Sequence, residues 1–282
     1  MQIFREIHPL KVILVEKRLS GRTIGFVPTM GALHQGHLSL IQTSLNENNL
    51  TVCSIFVNPA QFHSASDLQK YPRTLENDIQ LLEKTGCDIL FCPEAGEMYS
   101  SEPLIHFDFG QLDKTMEGQF RPGHFSGVAL VVSKLFHIVE PTIAYFGQKD
   151  WQQFAIIRQM VKEFHFNVTL KCVPIVRESD GLAMSSRNMR LTHEQRNRAV
   201  ILFQVLKESN DLLRNGDSIS HVKNFVKEHV ESNPGIKLEY FEVADSENLK
   251  LLNNIEESVS PILCIAALVG DVRLIDNLLY TH

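Results

Sequence analysis

Between residues 23 and 173, short apolar runs alternate with longer amphipathic stretches, the pattern of βα units that build a parallel sheet. Strands are predicted at 23–27, 50–57, 88–92, 143–146 and 168–173. The 50–57 run is apolar or small at nearly every position, as in a strand covered on both faces, which puts it at the centre of the sheet. Residues 37–46, 67–84, 126–139 and 150–164 have the spacing of helices that cover such a sheet. After residue 187 the pattern changes. Two polar-faced helices, 192–213 and 218–232, precede strand-like runs at 238–244, 262–269 and 272–278. Only Gly270 and Asp271 separate the last two runs, a spacing that suits a tight hairpin. The fold class is therefore α/β: a Rossmann-like parallel-sheet domain over residues 1–176, followed by a smaller α+β domain over 177–282.

Composition narrows the function classes. A hydrophobic content of 44% over 282 residues supplies a globular core, and no uncharged apolar run approaches the ~20 residues of a membrane span. Residues 1–18 interleave charged with apolar positions and lack the uninterrupted centre of a secretory signal. A cytoplasmic location is expected. The five cysteines form no CxxC pair and are read mostly as buried thiols. A net charge of −6 without a long basic run argues against a nucleic-acid partner.

The strongest chemical signal is Pro28-Thr29-Met30-Gly31-Ala32-Leu33-His34-Gln35-Gly36-His37, between the first strand and the first helix. Free backbone N–H groups at a helix start bind anions, and imidazoles three positions apart can face one set of phosphates. A zinc pair or two structural histidines are the alternatives. A second strand end gives Asn58-Pro59-Ala60-Gln61-Phe62. Its neutral amides can orient a hydroxyl- and carboxylate-bearing ligand without neutralising the carboxylate, against the plainer reading of a turn cap. A third gives Gly147-Gln148-Lys149-Asp150 with Gln153 about one turn on. There a lysine suits phosphate, or simply pairs with Asp150 at the surface. At the predicted domain junction, Met184-Ser185-Ser186-Arg187 can clamp a triphosphate, or cap a turn and pair with an acid.

Together with 121–128 (RPGHFSGV) and 270–277 (GDVRLIDN), these segments resemble the motif set of the pantothenate synthetase family in order and spacing, over essentially the whole chain. The resemblance implies an ATP-dependent ligase that joins pantoate to β-alanine through a pantoyl-adenylate and releases AMP and pyrophosphate. It implies ATP binding by Met30, Gly31, Ala32, Leu33, His34, Gln35, Gly36, His37, Gly147, Gln148, Lys149, Asp150, Val176, Met184, Ser185, Ser186 and Arg187, with His37 as proton donor. His34, Lys149, Ser185 and Arg187 would stabilise the phosphates. Gln61 and Gln153 would hold pantoate, Gln61 also bordering the β-alanine site, and magnesium would ride mainly on the triphosphate. A lid-like second domain and a homodimer are implied as well. The chain departs from the family pattern at Gln35, commonly Glu, at Arg190, often Tyr, at Asn77, usually acidic, and in the 63–67 gate loop.

Overall fold

The structure is a computed structural model that describes residues 1–62 and 65–281, with side chains of 65–67 excepted. His63 and Ser64 of the expected gate loop thus lie outside the described residues, and of 65–67 only the backbone is described.

Six parallel strands form the first sheet, β1 (Gln2–Phe4), β2 (Ile24–Thr29), β3 (Leu50–Ile55), β4 (Ile89–Phe91), β5 (Ile143–Gly147) and β6 (Thr169–Val173), in the order β1-β4-β3-β2-β5-β6. Every residue of β3 is buried, and β3 lies between β2 and β4 as its unbroken apolar run predicts. One face is covered by α1 (Ile7–Leu19), α7 (His124–Val139) and α8 (Trp151–Glu163), whose Leu10, Leu14, Val128, Val132, Phe154 and Ile157 pack with Phe26, Val52 and Phe91. The other face is covered by α2 (Gln35–Glu47) and α4 (Leu75–Thr85), through Leu40, Ile41 and Leu82.

Three details differ from the sequence expectation. The edge strand β1 and helix α1 were not anticipated; Pro9 falls within the first turn of α1, where a missing N–H costs no intrahelical bond. The long 67–84 helix is two, α3 (Ala65–Lys70) and α4, because Pro72 interrupts the register; the short helices α5 (Ala95–Met98) and α6 (Glu117–Phe120) follow before α7. The 192–213 helix likewise divides into α9 (His193–Arg198), capped reciprocally by Thr192 and Gln195, and α10 (Ile201–Arg214).

The second lobe is an antiparallel sheet of β7 (Ile236–Asp245), β8 (Pro261–Val269) and β9 (Val272–Leu279), with the expected hairpin at Gly270. The helices α10 and α11 (Ile219–Glu231) bury Val205, Leu206, Val222 and Val226 against one face of that sheet. Its other face meets the first lobe in a small apolar cluster of Met116, Ala155, Ala244, Leu249, Ile262 and Cys264.

Beside that cluster lies a buried charge network. Arg273 of β9 grips Glu117 with both terminal nitrogens, at 2.6 and 2.7 Å, and donates from Nε to Glu239 at 2.6 Å, while the Tyr240 hydroxyl donates to Glu117 at 2.8 Å. Burial resists the charge on Glu117, but the Arg273 guanidinium outweighs it and holds the carboxyl below its usual range. Removing one member of such a pair leaves an uncompensated buried charge. Arg273→Met should therefore destabilise the protein by ~3–5 kcal/mol, and adding Glu117→Gln should restore part of the loss. Urea unfolding of the single and double variants checks this; an unchanged midpoint for the single variant would show that the network contributes no net stability.

Candidate active site

The chain builds β3 and β4 on one side of β2, then crosses to lay β5 and β6 on the other. The segments leaving β2 and β5 therefore diverge, and the crevice that opens at their carboxyl ends is where open α/β sheets bind ligands. A cavity at this place is lined by Met30, His34, Gly36 and His37 after β2, Gln61 after β3, Gly147, Gln148, Lys149, Asp150 and Gln153 after β5, and Val176 and Met184 from the segment that follows β6. Residues assigned from four separate stretches of sequence are thus neighbours.

The turn after β2 is held in an unusual shape. Gly31 and Ala32 both adopt positive φ, +83° and +49°, a region that strains a residue with a side chain. The Asp78 carboxylate, 1% exposed, accepts from the backbone N–H groups of Ala32 and Leu33 at 2.9 and 2.8 Å, and from the Thr74 hydroxyl at 3.2 Å. This buried anchor was missed in the sequence, where Asp78 is one acid among several near the start of a helix. It leaves Ala32 and Leu33 as framework: Gly31 and Ala32 border a separate cleft, Leu33 belongs to the core, and Gln35 is exposed outside the cavity.

His34 is the N-cap of α2, and its Nδ1 accepts from the Gly36 N–H at 3.2 Å; His37 Nδ1 in turn accepts from the His34 N–H at 3.3 Å. The ring centroids are 4.1 Å apart. Bare backbone N–H groups are expected at this helix start from the sequence, but the imidazoles take two of them. A neutral ring that accepts at Nδ1 carries its proton on Nε2, so the donors available to a ligand are ring N–H groups. Burial lowers the pKa of His34 to about 4 and that of His37 to about 3, with the positive Lys149 adding to both shifts.

The amide of Gln61 is oriented by a chain of partners. Tyr99 Oη and the Ala60 N–H donate to Asn58 Oδ1, at 2.8 and 3.3 Å, so Asn58 Nδ2 is free to donate to the Gly127 carbonyl at 3.1 Å and to Gln61 Oε1 at 3.2 Å. Gln61 therefore presents its NH2, which lies 2.8 Å from Met30 Sδ, on the cavity side. Asn58 is both the turn cap of the plainer reading and the residue that fixes this amide. Gly127 allows the close approach, since a Cβ there would stand 2.2 Å from the Ala60 carbonyl oxygen. Tyr99 carried no sequence signal, because its partner is 41 positions away. Of the paired glutamines on α8, Gln153 lines the cavity, while Gln152 holds the carbonyls of Leu112 and Thr115 and the N–H of Glu117.

Lys149 Nζ stands 3.2 Å from Asp150 Oδ2. Burial opposes the charge on Asp150, but Lys149, Arg187 and Arg121 together keep the carboxyl below its usual range. Ser185 caps the turn that carries Arg187, accepting from its N–H at 3.2 Å, and both residues line a crevice beside Lys149. Ser186 borders neither space. Among the described residues, no three His, Cys, Asp or Glu side chains group as metal ligands.

A third imidazole, His124, is buried outright. It contacts the Gln61 carbonyl through Nδ1 and Arg121 through Nε2, and burial lowers its pKa to about 3. In the unfolded chain these histidines titrate near the ordinary 6.5, so below that pH the unfolded state binds more protons than the folded one. Their contribution to stability is complete above about pH 6.5 and is lost progressively as the pH falls toward 3 to 4. Melting temperature followed from pH 7.5 to 5 should fall on acidification, and less steeply in His124→Gln. An equal slope would show that His124 does not couple protonation to folding.

Three comparisons place this geometry among known proteins. A family model described as pantoate-beta-alanine ligase matches residues 2–279. Pantothenate synthetase of Bacteroides thetaiotaomicron is 46% identical over 280 residues, 99% of each chain, and that of Phocaeicola vulgatus is 47% identical over 281, again 99% of each. The crystal structure of pantothenate synthetase from Thermus thermophilus superposes with a TM-score of 0.92 at 39% identity, covering 99% of both chains. A pantoate-beta-alanine ligase from Francisella tularensis, complexed with beta-gamma ATP and beta-alanine, gives 0.83 at 36% identity over 99% of this chain and 98% of that one. With the family model spanning nearly every residue and relatives matching end to end, the chain belongs to the pantoate–β-alanine ligase family, the pantothenate synthetases.

Proposed function

We propose that the chain condenses (R)-pantoate with β-alanine at the expense of ATP, through a pantoyl-adenylate, with release of AMP and pyrophosphate. The observation that carries this reading is the convergence of two ring N–H donors, one lysine and two neutral glutamines on a single cavity at the β2/β5 crevice. The Francisella relative, complexed with beta-gamma ATP and beta-alanine, supports the choice of ligands.

In the first step the pantoate carboxylate attacks the α-phosphorus of ATP and pyrophosphate leaves. Gln61 and Gln153 orient the acid as hydrogen-bonding groups without drawing off the carboxylate charge needed for attack. His34 and His37, neutral when the cavity is empty, donate from Nε2 to phosphate oxygens, and the approach of the anionic triphosphate favours their protonated form. His37 is then suited to supply a proton as the α,β bond breaks. Lys149, Ser185 and Arg187 offset the charge on the departing phosphates, while Val176 and Met184 give the nucleoside apolar surface. In the second step the neutral amine of β-alanine, bound next to Gln61, attacks the anhydride carbonyl and AMP leaves. Catalysis is positioning plus electrostatics, with no covalent enzyme intermediate.

Magnesium enters as the ATP complex. Both oxygens of Asp78 accept backbone N–H groups, Asp150 is paired with Lys149, and Asn77 is neutral, so these side chains make a poor additional metal site. In this proposal the chain divides after residue 176, and residues 177–282 act as a lid that brings Ser185 and Arg187 onto the phosphates. The proposed active form is a cytoplasmic homodimer.

Two measurements test the chemistry. With ATP, magnesium and pantoate but no β-alanine, the protein should exchange labelled pyrophosphate into ATP, and the exchange should stop when pantoate is omitted. Gln61→Ala or Gln153→Ala should raise the pantoate requirement far more than that for ATP, because partners built to hydrogen-bond the acid are left unpaired. Exchange without pantoate would point to a different nucleotidylyl transferase, and release of ADP in the full reaction would rule out the adenylate. Separately, His37→Ala should slow adenylation by roughly 10² to 10³, the cost of one preorganised donor. A near-normal single-turnover rate in the folded variant would remove His37 from the mechanism.

A further inference from the structure

The motif at 270–277 has no role in the chemistry above, yet it places two polar residues at adjacent positions of a buried strand: Asp276 is 4% and Asn277 2% exposed. Alternation along β9 sends them to opposite faces. Val272 and Leu274 pack among α10 and α11, and on that side Asp276 is held bidentately by Arg177 at 2.6 and 3.0 Å, whose guanidinium stacks 3.7 Å from the centre of the Phe203 ring. Asn277 emerges on the other side, against the turn that follows β5. Its Nδ2 donates to the carbonyls of Gln148 and Lys149, both at 2.9 Å, and its Oδ1 accepts from Gln148 Nε2 at 3.1 Å. The Asn277 N–H bonds Asp276 Oδ1 at 2.8 Å, so the two residues act on one stretch of backbone.

A buried amide with both N–H groups and its oxygen matched tolerates little displacement. The carbonyls it grips belong to residues that also line the ligand cavity, and Lys149 is the cation of that loop. From this geometry we infer that Asn277 is a positioning residue: the last strand of the second lobe sets the Gly147–Asp150 turn, and with it Lys149, at the height the nucleotide phosphates require. Residue 277 thereby couples the placement of the second lobe to ATP binding, with pantoate bound independently of it. The inference rests on the assignment of Lys149 to the phosphates given above.

Calorimetric titration of the full-length protein with magnesium-ATP tests it. Asn277→Ala and Asn277→Asp should weaken ATP binding by about 10-fold to 10²-fold, the scale of a misplacement near 1 Å. The aspartate should be the worse of the two, because it opposes an acceptor to two carbonyls. The pantoate requirement in pyrophosphate exchange should stay within about twofold of the unaltered protein. Tyr240→Phe, which removes a bond from the other interlobe network, should leave ATP affinity in place and serves as the control for general loosening of the lobes. If Asn277→Ala does not fold, Asn277→Ser, which retains a hydroxyl donor, takes its place with the same expectation. Unchanged ATP affinity in a folded Asn277 variant, or an equal loss in Tyr240→Phe, overturns the inference. Absence of pantoate-dependent exchange in the unaltered protein would instead overturn the proposed function, since calorimetry reads the loop whichever acid is used.

Discussion

The reversal of chain direction across the sheet between β2 and β5 is the constraint on which the rest depends. Parallel strands bury their middles and present their carboxyl ends on one edge, and only where successive crossovers go opposite ways does that edge open into a crevice. Here the histidine turn leaves β2, the Asn58–Gln61 turn leaves β3 and the lysine turn leaves β5, so three loops reach the same space without any of them being long. The apolar saturation of β3 and α7 makes the platform rigid enough for side chains to be aimed from it.

Around that crevice, buried polar groups act mainly on one another. Asp78 shapes the strained turn at Gly31 and Ala32, Asn58 orients Gln61 under the direction of Tyr99 and Ala60, and Asn277 grips the backbone beneath Lys149. Each is almost completely buried, a setting in which an unmatched donor or acceptor costs on the order of 1–3 kcal/mol. The same requirement explains the histidines. Their Nδ1 atoms close the start of α2, which fixes the rings and leaves Nε2–H for the ligand. Low imidazole pKa values follow from burial, so the empty cavity holds no fixed imidazolium.

The interface between the lobes is partly apolar and partly ionic. Glu117, Arg273, Glu239 and Tyr240 satisfy one another away from water across that interface, while the Arg177–Asp276 pair lies within the second lobe, on the face of β9 opposite Asn277. Charged groups so buried specify one relative placement of the lobes more sharply than apolar contact would, because sliding by an ångström breaks directional bonds as well as contact area. That placement carries Ser185 and Arg187 to the side of Lys149.

Much of this was legible in the sequence, because period and turn chemistry are local. The alternation of strands and helices, the central place of the 50–57 run and the hairpin at Gly270 follow from spacing along the chain, and the resemblance to a family motif set pointed to residues that line the crevice. Local breaks were less legible: α1 hides a proline in its first turn, and the divisions at Pro72 and after Arg198 interrupt otherwise continuous amphipathic patterns. What the sequence could not determine were partnerships between distant residues. Asp78 with Ala32 and Leu33, Tyr99 with Asn58, Glu117 with Arg273 and Asn277 with Gln148 lie 41 to 156 positions apart, and no periodicity encodes which buried donor meets which acceptor. Tertiary packing decided those pairs, because only in the folded core does water withdraw and each polar group have to find its partner within the protein.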